Sequence, residues 1–162
     1  MYNKNEYVNL VRKQEKEFNN FTMFFAYNEK QYKEGKQTLG VIDDKDICYI
    51  GYCGYIRKKD LQAFNNMVEK HKIEFKQSIE NDKTGEGFIY DMFLYELENH
   101  EYFITYELDD TLDALNLTLD EVLNSSTLKN GLLLARKKIL EENRNNYNYK
   151  EKINKKKTKD VK

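Results

Sequence analysis

Proline and tryptophan are absent from this chain of 162 residues. Without proline no turn has a preset φ near −65°, so glycine, asparagine and aspartate must make every chain reversal. Glycine is itself scarce, at seven residues. Two cysteines, Cys48 and Cys53, are too few for a disulfide scaffold. On one extended strand they would face opposite ways about 16 Å apart, whereas a disulfide needs Cα atoms within about 7 Å. A tight turn between them weakens that objection, and they read as reduced thiols. No apolar run approaches the roughly 18 residues of a membrane span, and the polar start MYNKNEYVNL does not read as a signal peptide. The expected location is therefore the cytoplasm, with no membrane contact.

What is present suffices for a core: 40 % of the residues are apolar, and 13 Tyr and 9 Phe are among them. The charge is unevenly placed. Residues 80–121 hold thirteen Asp/Glu against one Lys, while residues 143–162 hold eight Lys/Arg against two Asp/Glu. The formal net charge of −1 thus conceals an acidic segment and a basic one, fields that steer encounters with oppositely charged partners.

The periodicity predicts a helix over 4–18, a buried strand over 22–27 and a helix capped by Asn28 with Gln31. A polar turn at 43–46 follows. Residues 47–56 (ICYIGYCGYI) are either one long strand or two short ones turning at Gly51–Gly54. Asp60 is the expected N-cap of a helix over 61–80, with Leu61, Phe64, Val68, His71, Phe75 and Ile79 on one face. After a loop at 81–87, residues 88–99 form a helix apolar on most of its circumference and hence central. Residues 102–106 (YFITY) read as a strand. Two short helices at 110–115 and 119–123 follow, the second with a Thr118/Glu121 capping box, and the last helix runs over 127–142. The fold class is α+β: a small, about three-stranded, mainly antiparallel sheet packed against several helices. Residues 1–142 form a single domain, best defined over 22–142, and 143–162 form a disordered basic tail.

No catalytic residue, cofactor or metal site is expected. Glu96 and His100 share a helix face, but the dipole at a helix C-terminus accounts for a cationic histidine there, and a metal needs further ligands. Gly85 and Gly87 precede a helix and invite a phosphate, which Glu86 would repel. Two surfaces remain. Glu107, Asp109, Asp110, Asp113, Asp120 and Glu121 form an array that can imitate nucleic-acid phosphates before a basic protein surface. Its two short helices are expected to be held to the core by Leu112, Leu115, Leu119 and Leu123. Alternatively Tyr49, Tyr52 and Tyr55 can stack bases while Arg57, Lys58 and Lys59 pair phosphates, with weak nucleic-acid contact through the tail.

The segments MFFAYNEKQYKEG, IGYCGYIRKKDLQAF and FIYDMFLYELENHEYFITYELDDTLDALNLTLDEV resemble a family of small uncharacterised proteins found in bacterial genomes, phages and mobile elements. The resemblance covers roughly residues 23–124 and carries no known site residues. It implies a compact domain of unknown function and an accessory role in phage–host conflict. By analogy of size and charge, it also suggests an anti-CRISPR-like inhibitor of a nucleic-acid-guided defence nuclease. The expected function is therefore non-enzymatic protein binding through an acidic surface, and the alternative is an RNA- or DNA-binding accessory protein.

Overall fold

The computed structural model describes the backbone of residues 5–159, with side chains to residue 144. It is an α+β fold of eight α-helices and one three-stranded antiparallel sheet among the described residues. Contacts group the chain into two compact units: Arg12–Gln77, and the flanking stretches Met1–Val11 with Ser78–Lys162. Helices α1 (Glu6–Asn19) and α3 (Leu61–Asn81) each contribute residues to both.

In the first unit the sheet order is β1 (Phe24–Phe25), β3 (Gly54–Arg57), β2 (Ile47–Gly51). Residues 47–56 are thus a hairpin, the second of the two alternatives. Its two-residue loop, Tyr52–Cys53, has φ of 47° and 59°, the left-handed pair that matches strand twist. Both cysteines are free. Ile56 is fully buried on one face, while Phe24, Tyr55 and Tyr49 lie side by side on the other. Helix α2 (Glu29–Thr38) is capped by Asn28, whose side chain accepts from the Gln31 N–H; the Gln31 amide oxygen accepts in return from Tyr27. Gly35 lets α2 approach the sheet, because a Cβ there would stand 2.1 Å from the Phe24 ring.

The expected stripe on α3 holds, with Phe64 buried against Phe18 and Phe21. Asp60 is not its N-cap. A 3-10 turn, Lys58–Asp60, runs directly into the helix, and the Asp60 carboxylate accepts instead from Arg57 Nε at 2.5 Å.

In the second unit α4 (Phe88–Asn99) is central: Ile89, Met92, Phe93 and Leu97 are fully buried. It packs on α8 (Ser126–Lys159), whose buried stripe is Leu128, Leu132, Ala135 and Ile139. The backbone of α8 thus continues through 143–159, where composition predicts a tail. The side chains from 145 onward, and residues 160–162, lie outside the described residues.

The segment 102–106 is not a strand. Tyr102–Thr105 is a single helical turn, α5, bounded by Glu101 at φ 52° and Tyr106 at φ 59°. Two left-handed residues end the extended run that aromatic and β-branched residues favour. Tyr102 is buried and receives a hydrogen bond from Arg136 Nε at 2.6 Å. Helices α6 (Asp109–Leu115) and α7 (Leu119–Asn124) follow.

Candidate functional site: an acidic face on two short helices

Seven-residue α6 buries Thr111, Leu112 and Leu115, at spacings that define one face. Asp109, Asp110 and Asp113 therefore lie on the other face and are exposed. Asn116, at φ 50°, ends the helix and turns the chain toward α7. There Thr118 and Glu121 form the expected capping box: the Glu121 N–H donates to Thr118 Oγ1 at 3.2 Å, and Glu121 Oε2 accepts from the Thr118 N–H at 2.7 Å. The Thr118 hydroxyl, then its N–H, holds the Glu121 carboxyl below the usual range.

Glu107, Asp109, Asp110, Asp113, Asp120 and Glu121 are all exposed. The sequence reading thus places the carboxylates and the α6 anchors Leu112 and Leu115 correctly, but not the residues that hold α7. Leu119 and Leu123 are not core anchors, being 47 % and 52 % exposed. Val122 is the buried residue of α7. In so short a helix one inward position suffices, and Val122 takes it.

The tyrosine strand is divided by the hairpin. Tyr55 is enclosed by rings, stacked on Phe24 at 5.2 Å and 17° and meeting Tyr32 and Tyr49 at 5.2 and 5.3 Å. Tyr49 keeps an exposed edge, and Tyr52 at the hairpin tip is 95 % exposed. Arg57 is engaged by Asp60, while Lys58 and Lys59 are exposed. These three cations line a cleft of about 510 Å³ together with residues 39–43 and Asp46. The aromatic platform is thus mostly occupied by its own rings, and the basic residues border a separate cleft containing two carboxylates.

The remaining candidates have internal partners. The Asp82 carboxylate accepts from the N–H groups of Gly85 at 2.8 Å, Ile89 at 3.0 Å, Gly87 at 3.1 Å and Thr84 at 3.2 Å. Burial alone would raise this carboxyl, but those donors outweigh it and hold the group below its ordinary value. The anion position before α4 is therefore filled by the chain itself. His71 stands at 3.0 Å from Glu17. His100 is the C-cap of α4, with Nε2 at 3.5 Å from Glu96. Glu96 also accepts from the Tyr7 hydroxyl at 2.5 Å. Sequence reasoning missed that partner, whose only signal was an aromatic position on the apolar side of α1. Among the described residues no group of three or more His, Cys, Asp or Glu is placed to hold a metal ion, and no helix is long and apolar enough to cross a membrane.

Residues 6–138 match the model of a family of unknown function, DUF7659, and the chain belongs to that family. The match begins at α1, which the sequence resemblance had left outside. No curated protein and no solved structure matches the chain.

Proposed function

We propose that this protein is a non-enzymatic accessory factor that docks on a basic protein surface through α6 and α7. One observation carries the reading. Six carboxylates within fifteen residues, with no lysine or arginine among them, are exposed: five project from two short helices anchored by their opposite faces, and Glu107 lies just before the first. Among the described residues, Glu107, Asp109, Asp110, Asp113 and Asp120 have no ion-pair partner, so their field is directed outward. Against a Lys/Arg-lined channel they gain charge-assisted hydrogen bonds and speed association. Nucleic-acid enzymes offer such channels. An inhibitor of a nucleic-acid-guided defence nuclease, carried by a phage or mobile element, is the specific form suggested by analogy of size and charge.

The test is the triple variant Asp109→Lys/Asp110→Lys/Asp113→Lys, measured for association with a basic protein captured from host lysate. Folding survives, association slows at least tenfold with a weaker salt dependence, and single-stranded RNA competes with the parent protein for the same surface. Unchanged association by a folded triple variant would reduce the acidic block to a solvated face.

A further inference from the structure

Helix α8 has two apolar stripes. The first, from Leu128 to Ile139, is buried. The second consists of Leu133 and Leu140, 52 % and 38 % exposed and two turns apart. Together with Arg136, Lys137, Glu141 and Arg144 they line an open furrow of about 430 Å³. Three cations against one carboxylate give this face a positive rim, and the bias continues in the sequence: residues 136–159 contain ten Lys/Arg and three Asp/Glu. An exposed apolar pair framed by cations is an amphipathic face without a partner.

The same chain carries the complement. On α7, Leu119 and Leu123 lie one helical turn apart and form an exposed apolar pair. Six carboxylates over 107–121 accompany them. Apolar pair matches apolar pair, and negative rim matches positive rim. The two faces cannot meet within one chain. Helix α7 already packs on α8, with Val122 as its buried residue, and α8 is one continuous helix that cannot fold back on itself.

We propose that the protein forms a two-fold dimer in which the Leu133–Leu140 stripe of each copy seats on the α6–α7 face of the other. The two contacts are reciprocal, so the assembly closes at two copies. The leucines make its dry centre, and Lys137 and Arg144 meet the aspartates at its rim. A symmetric α8-on-α8 pairing is disfavoured, because it sets the cations of both stripes against each other. The dimer does not rest on the partner-binding reading; a basic partner and a second copy would compete for the same carboxylates.

Light scattering on the full chain tests this. At about 50 mM salt the mass is twice 19.5 kDa, and at about 0.5 M it falls toward one chain as the rim is screened. Reversal on the acidic side (Asp109→Lys/Asp110→Lys/Asp113→Lys) or on the basic side (Lys137→Glu/Arg144→Glu) weakens dimerisation at least tenfold. Combining both sets restores it, which general surface damage does not do. Leu140→Ser, a change at an exposed position, also yields monomers, with circular dichroism confirming the fold. The proposal is overturned by a single-chain mass at low salt, by a dimer indifferent to either reversal, by a combined variant that stays monomeric, or by assemblies that grow beyond two copies.

Discussion

Tyr7 and Glu96, 89 positions apart in sequence, share a hydrogen bond of 2.5 Å between buried side chains. The phenol donates, the carboxylate accepts, and His100 approaches the other carboxylate oxygen at 3.5 Å. Tyr7 also packs edge-on against Phe88 and Tyr95, at 5.8 and 5.6 Å between centroids. Burial first, then the hydrogen bond to Glu96 and its charge, keep this phenol protonated far above the ordinary tyrosine value.

Tyr7→Phe keeps the ring and removes the donor. A buried acceptor then loses its partner, which costs about 1.5–3 kcal/mol. Urea unfolding should show a lower midpoint with unchanged slope. In the parent, the contribution is complete below the unfolded tyrosine pKa of about 10 and is lost as pH rises above it. A Phe variant as stable as the parent would show the bond to be energetically idle.

Glu17 is one carboxyl that contributes on the acid side. Lys70 Nζ donates to both its oxygens, at 2.8 and 2.9 Å, and His71 Nε2 stands at 3.0 Å. The Lys70 hydrogen bond, then that of His71, lowers the Glu17 carboxyl from 4.5 to about 2. A depressed carboxyl contributes stability that is present above its unfolded value and lost as pH falls through its folded one. The thermal midpoint should therefore decline between pH 4.5 and about 2, and Glu17→Gln should flatten that decline. An identical slope in the variant would assign acid sensitivity to other carboxylates.

Gly131 in α8 is required by proximity. A Cβ there would lie 2.6 Å from Ile89 Cγ2 and 2.8 Å from the Gly85 carbonyl oxygen. Alanine ordinarily gains about 1 kcal/mol over glycine within a helix. Here overpacking against backbone wins, and Gly131→Ala should destabilise by about 2 kcal/mol. Lys129→Ala, at an exposed site on the same helix, should stay within about 0.5 kcal/mol. Calorimetry of the two variants separates propensity from packing.

Thr111 is fully buried, and its hydroxyl has no hydrogen-bond partner among the described residues. An unmet buried hydroxyl costs about 1–3 kcal/mol. Thr111→Val keeps the shape and removes that cost, so the thermal midpoint should rise. A fall would mean that the hydroxyl is satisfied in solution.

Much of this molecule is legible locally. The α3 stripe, the largely apolar circumference of α4, the Asn28 cap and the Thr118/Glu121 box follow from spacing alone. So does the exposure of Asp109, Asp110 and Asp113, since aspartates opposite Leu112 and Leu115 on α6 have only solvent to face. The failures share a cause in long-range contacts. Residues 102–106 have strand propensity, but Tyr102 is drawn inward to Arg136, 34 positions away. Leu119 and Leu123 look like anchors until Val122 is seen to fill the single inward position on α7. Glu96 pairs with Tyr7 across most of the chain, and no spacing rule reaches that far.

Asp82 has a consequence for motion. Its carboxylate ties the loop before α4 to the first turn of that helix, Asn130 Nδ2 donates to the Thr84 carbonyl at 2.8 Å, and a Cβ on Gly85 would stand 2.2 Å from the Thr127 carbonyl oxygen. The start of α4 and the start of α8 are thus fastened to one short loop and must open together. Amide hydrogen exchange should register this as a single cooperative event. The amides of Gly85, Gly87 and Ile89 should exchange at the same rate as those of the first turns of α8, and Asp82→Ala should accelerate both sets by the same factor.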